Sequence, residues 1–350
     1  MVVLFHLFEA WSGGNHARQI INHGYLAVDF FFLLSGFVVA YAYDDRWDRM
    51  TPWAFCKRRL VRLQPMVIMG ALLGAVMFPF QNFSMFPGVA DATTIKVVVV
   101  LLLGCVMVPV PPSLDVRQWG ESFPLNGPAW SLFYEYLANA LYAVLLRRLP
   151  IATLAILTAI AAGATIELAV FGRNGDLIGG WGADISSIQI GLTRVMFPFL
   201  AGILLMRVGK RLVVPHSFAW SSALLLIVLS LPRFGGSDAP WLNGAYEALC
   251  VIVVFPLIVA IGAGNRDVDG RSIRVARFFG ALSYPLYITH YPLIYIYTGW
   301  VGEGDVSITS GIVAGLFVLV GSIVIAWLSL RFYDEPVRRW LGKRLLGRSG

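Results

Sequence analysis

Apolar residues run along this chain in long unbroken stretches, near 1–8, 24–43, 63–80, 95–111, 128–146, 152–171, 191–206, 217–231, 245–263, 279–298 and 308–330. Strict alternation every second residue would mark strands, so these runs read as helices. A run of about twenty residues matches the thickness of a bilayer core. The polar stretches between them are short. The longest, 81–94, 112–127 and 172–190, are loops rather than folded units. The pattern predicts an all-α fold, a polytopic transmembrane helical bundle of about ten crossings plus one re-entrant or peripheral helix, with 1–350 as one membrane-embedded domain.

Composition strengthens that reading and excludes a soluble fold. Hydrophobic residues make up 58% of the chain and charged residues 13%, more apolar surface than a water-soluble chain of 350 residues can bury. Most of the 27 Lys and Arg fall in five clusters, at 46–62, 147–148, 207–211, 266–277 and 331–348. Basic loops stay in the cytoplasm, so the net charge of +7 reads as a topology signal rather than as a nucleic-acid surface. Parity then singles out segment 95–111. An even number of crossings must separate two basic loops, and this short segment, ending in Pro109-Val110-Pro111-Pro112, is the one expected not to span. Both termini are expected in the cytoplasm of a multi-pass inner-membrane protein. No basic flank and small-residue cleavage site mark a signal peptide. Cys56, Cys105 and Cys250 lack disulfide or metal spacing, so no metal is predicted.

Candidate chemistry begins with His6, which follows Met1-Val2-Val3-Leu4-Phe5. An imidazole beside membrane-type sequence is a candidate for proton transfer. Its segment of eight residues reaches roughly 12 Å against a core of about 30 Å, so it either does not span or lacks its beginning. Asp29 lies in an apolar run from Gly24 to Phe37 and calls for a partner. An antiparallel hairpin would bring it near His6; the alternative is a helix cap or an arginine pair. Arg59 and Arg62 share a helical face at the membrane boundary, where they suit either the phosphates of a cofactor or plain topology and lipid headgroups. Glu135, in Trp130-Ser131-Leu132-Phe133-Tyr134-Glu135, either orients a sugar-like acceptor or pairs internally. Ser283, Tyr287 and His290 recur at helical spacing and are expected to line a polar interior face. Trp119, Trp181 and Trp241 suit sugar stacking or interfacial anchoring. The motifs of P-loop ATPases, serine hydrolases and zinc proteases are absent.

Taken in order, Val2 to His6, Gly24 to Phe37, Phe55 to Pro65, Trp130 to Glu135, Arg194 to Leu205, Ser283 to His290 and Tyr333-Asp334-Glu335-Pro336 resemble the acyltransferase-3 family of integral membrane O-acyltransferases. The resemblance implies transfer of an acyl group, commonly acetyl from acetyl-coenzyme A, to a hydroxyl of a glycan, lipid or antibiotic-like acceptor. It implies that His6 is the catalytic residue and that Arg59 and Arg62 handle the acyl-CoA donor. Asp29, Glu135 and His290 fall on polar motif positions, and Asp29 is expected to orient His6. The family pattern carries an Arg or Lys eleven positions before that histidine, whereas this chain begins five before it, so an upstream segment is expected. With no fused extracytoplasmic domain, a stand-alone enzyme is expected. The expected partners are membrane lipids and a carbohydrate or other hydroxyl-bearing acceptor, with no nucleic acid. The alternative from another class is a transporter or flippase for a glycan or lipid intermediate, its path lined by Asp29, Glu135 and His290.

Overall fold

The computed structural model describes residues 1–172, 174–209, 212–264 and 270–347, with side chains from residue 273 in the last of these stretches. Among the described residues the regular elements are all helical. The longer ones begin with α1 (Val2–Ser12), α2 (Ala27–Tyr43), α3 (Pro52–Met77), α4 (Thr94–Cys105), α5 (Ala129–Val144), α6 (Ile151–Ile166) and α7 (Ile185–Val208). The rest are α8 (Ser217–Ser230), α9 (Trp241–Ala263, with an internal π turn), α10 (Gly270–Thr289), α11 (Tyr291–Gly302), α12 (Ile308–Leu328) and α13 (Glu335–Leu345).

Among the described residues six stretches are long and apolar enough to cross a membrane: Gly24–Arg46, Pro52–Gln81, Ile151–Phe171, Ile185–Val208, Trp241–Ala263 and Ile308–Leu345. The expected count of about ten is not reached by length. Segment 1–8 is the 11-residue α1, 128–146 the 16-residue α5 and 217–231 the 14-residue α8. Segment 279–298 breaks at His290 into α10 and α11. Apolar runs overestimate helix length because part of each run folds as turns at helix ends, where backbone groups lack intrahelical partners. Segment 95–111 is a 12-residue helix that stops before its prolines, as its sequence suggests.

Two packing features place the chemistry. Helices α2 and α7 lie backbone to backbone, because a Cβ at Gly36 would sit 2.1 Å from Phe199 O and one at Gly202 only 2.2 Å from Leu33 O. That approach sets Asp29 of α2 beside Arg194 of α7. Helix α1 is seated by Val3 and Leu7 against Ile294 and Tyr297 of α11, and Trp11 Nε1 donates to Tyr297 Oη at 2.6 Å. At the opposite, basic end, Arg207 pairs with Asp44 at 2.7 Å and donates to the carbonyls of Leu146 and Leu149, tying together the ends of α2, α5 and α7. Residues 210, 211, 266 and 348, from three of the basic clusters, lie outside the described residues.

Candidate active site

Away from the basic end, the helices enclose an open cavity of about 440 Å³. Its walls come from α1, the turn after it, the start of α2, the loop before α5, the loop before α7, and α11. His6, Glu9, His16, Glu121, Arg194 and Tyr291 bring polar atoms to it, and Trp119, Trp130 and Trp181 bring indole faces.

His6 meets Glu9, three residues on in the same helix: His6 Nδ1 and Glu9 Oε2 are 2.7 Å apart. A carboxylate only accepts, so Nδ1 carries a proton; in the neutral ring that leaves the lone pair on Nε2, the tautomer a general base requires. The ring is edge-on to Tyr291, with centroids 4.8 Å apart, and 5.7 Å from His290. His6 and Glu9 are partly accessible, at 17% and 29% of their side chains, so the pair is open to a substrate.

Asp29 is not the partner of His6. Its carboxylate takes two bonds from Arg194, Nη2 at 2.6 Å and Nε at 3.3 Å. The same guanidinium donates to the carbonyls of Gly179 and Tyr25. A hairpin of α1 and α2 alone lacks the α2–α7 contact, which supplies the cation beside Asp29.

Glu135 also pairs internally. Arg59 Nη2 and Ser35 Oγ both donate to its Oε1 at 2.8 Å. The pair sits within the bundle, six residues into α5 and seven into α3, and Glu135 does not line the cavity. The Nε of Arg59 is buried without a hydrogen-bond partner, an open donor on a guanidinium inside the bundle. Arg62 is exposed, so the two arginines divide between interior and surface.

The last predicted group separates too. Tyr287 lines the cavity and shares a 2.6 Å hydrogen bond with Ser131. His290 is fully buried behind it, its Nδ1 bound to the carbonyls of Leu286 and Tyr287 and its Nε2 unpaired. Ser283 is exposed and donates to Gly280 O, away from the cavity. Of the three tryptophans, Trp119 and Trp181 line the cavity and Trp241 stands exposed outside it.

Sequence reasoning missed Glu9, His16 and Glu121. For Glu9 a signal was present, since residues three apart share a helical face. Glu121 accepts from Tyr295 Oη at 2.6 Å, and Arg117 lies 3.7 Å away and 3.5 Å over the Tyr295 ring. Burial, opposed by Arg117 and the Tyr295 bond, pushes its carboxyl up to about 7. Next to the cavity, Arg233 Nη1 donates to Tyr25 Oη, and Glu247 accepts from Tyr25, Asn243 and the Leu177 amide. Among the described residues no cluster of three or more His, Cys, Asp or Glu is arranged to hold a metal ion.

A family model described as an acyltransferase domain matches residues 1–331. The chain is 35% identical to "Protein 2 in picA locus" of Rhizobium radiobacter, over 37% of this chain and 71% of that protein. It is 23% identical to O-acetyltransferase OatA of Staphylococcus aureus over 97% of its own length, and spans 55% of that protein. Acyltransferase MdmB of Streptomyces mycarofaciens is 27% identical, over 95% of this chain and 85% of that protein. No solved structure matches.

Proposed function

The chain belongs to the acyltransferase-3 family and is a membrane O-acyltransferase, and from that premise we propose that it moves an acetyl group from acetyl-coenzyme A to a hydroxyl of a glycan or other hydroxyl-bearing acceptor. The observation that carries this reading is the His6–Glu9 pair, 2.7 Å apart and facing a cavity of about 440 Å³ walled by indoles and tyrosines. Aromatic faces beside polar groups suit a ring that carries hydroxyls.

In the proposed reaction, His6 Nε2 removes the proton of the acceptor hydroxyl as its oxygen attacks the thioester carbonyl. The carbon–sulfur bond breaks, and the imidazolium returns the proton to the departing thiolate, which leaves as the thiol. Glu9 accepts from Nδ1 throughout and stabilises the transient cation. The donor's phosphates are assigned to the basic end, where Arg62 is exposed and Arg59 presents an unpaired Nε within the bundle. The basic end faces the cytoplasm in this reading, and the cavity opens on the other side of an inner membrane.

A transport path through Asp29, Glu135 and His290 draws no support from their placement, because none of the three lines the cavity. The test is transfer or release of labelled acetyl from acetyl-coenzyme A by the full chain in membranes, together with polysaccharide O-acetylation in a deletion strain and its parent. Donor consumption that disappears in His6→Ala is expected. Equal activity of wild type and variant would sink the assignment.

A further inference from the structure

The turn after α1 brings back a second histidine. Gly13 and Gly14 take positive φ, 60° and 79°, and Gly14 N–H donates to Glu9 O, so the chain reverses directly beyond the helix. Asn15 caps the next short turn by accepting from the Ala17 amide. His16, which starts that turn, faces Glu9 across the cavity wall: its Nε2 lies 3.8 Å from Glu9 Oε1. The other oxygen of that carboxylate holds His6.

Three contacts fix the His16 ring. It stacks on Phe5 with centroids 5.4 Å apart and planes 20° off parallel, and packs 5.2 Å from Tyr25. Its Nδ1 lies 2.7 Å from the amide nitrogen of Gln19, so it accepts there and the ring proton sits on Nε2, toward Glu9. This rigid, N–H-bearing ring serves no structural bond of its own on that side.

Taking His6 as the base, we propose that His16 is a positioning residue for it: His6 Nδ1 holds one oxygen of Glu9 at 2.7 Å, the His16 Nε2–H dipole faces the other oxygen across 3.8 Å, and this electrostatic bias on the carboxylate favours the His6 tautomer. An N–H dipole facing Oε1 disfavours rotation of the carboxylate away from His6 Nδ1. The lone pair of His6 Nε2 therefore stays directed at the acceptor hydroxyl. The charged and titratable groups facing His16 are Glu9, Arg233, Asp176 and His6, with Tyr25 beside the ring. Burial holds His16 below the ordinary histidine range, so it remains a neutral donor at neutral pH.

The test uses the full chain in lipid nanodiscs with ring-¹⁵N histidine. Its five histidines can be assigned by single substitutions. In the wild type at neutral pH, His6 is expected as the Nδ1–H tautomer alone, and its ring signals should move again at acid pH as His16 takes its proton. His16→Phe keeps the stack on Phe5 and Tyr25 but removes the donor. It should give a mixed His6 tautomer and a fall in kcat of about 10-fold, with KM for acetyl-coenzyme A unchanged. His16→Gln, which restores an N–H, should recover most of the loss. A His6 signal indifferent to His16 titration, or one tautomer and full kcat in His16→Phe, would overturn the proposal. Because the spectra need no turnover, a wild type that consumes no acetyl-coenzyme A would sink the acyl-transfer reading while the tautomer arm still decides this one.

Discussion

Glu9 and Asp29 are both carboxylates on helices that border the cavity, yet they are held in opposite ways. Asp29 and Arg194 are each 1% exposed, and their charges are fully matched. Glu9 and His6 stay partly open to the cavity, and the partner of Glu9 is a base that gains and loses a proton. An ion pair sealed in apolar surroundings fixes two helices but leaves neither group free to react. A half-solvated carboxylate beside an imidazole can favour either protonation state as the reaction proceeds. Proximity to a cavity therefore does not make an acidic residue chemical; the strength and permanence of its partner decide.

The largest effect is expected at His6. His6→Ala should lower acetyl transfer by about 10²–10⁴-fold with the fold intact, checked by labelled-donor turnover and circular dichroism. The two carboxylates should then separate by property. Asp29→Asn leaves a buried guanidinium without its counter-ion and should cost about 3–5 kcal/mol, read as a lowered thermal midpoint in detergent. Glu9→Gln should change stability by less than about 1 kcal/mol and reduce kcat instead, since a partly accessible carboxylate paired with an imidazole contributes little net folding energy. If Asp29→Asn lost activity at unchanged stability, the roles would be reversed. A smaller effect belongs to the donor end. Arg59→Lys keeps the charge but loses the fork geometry, and KM for acetyl-coenzyme A should rise about 10-fold, measured by initial rates.

The smallest expected effect is a pH dependence from Glu121. Burial raises its carboxyl from the ordinary 4.5 to about 7, so the folded state holds a proton that the unfolded state releases. Stability from this group is full below about 4.5, falls as pH rises toward about 7, and is flat beyond. Thermal midpoints across that window should decline in the wild type and less steeply in Glu121→Gln.

The helical character was legible because unbroken apolar runs admit few other folds. His6 stood out by the same logic, as an imidazole at the end of such a run. Tyr287 reached the cavity as its spacing suggested, whereas Ser283 and His290 from the same pattern did not. Helical spacing places residues on one face but does not say how far along that face the cavity extends. The break at His290, which ends α10 and begins α11, moved that face partway along. Glu9 was overlooked because it lies where the apolar run gives way to polar sequence, although its position three residues after His6 is a helical neighbour's.

The properties that depend on local order could be read from the chain alone: helical segments, clustered basic residues, and a titratable group within α1. The pairings come from helix packing. Asp29 meets Arg194, 165 residues away, because α2 and α7 touch through glycine, and Glu135 meets Arg59 across 76 residues because α3 and α5 cross. Charged side chains in a low-dielectric bundle take the best counter-ion within reach. Which one is within reach depends on how the helices pack, and that is absent from any single helix's sequence.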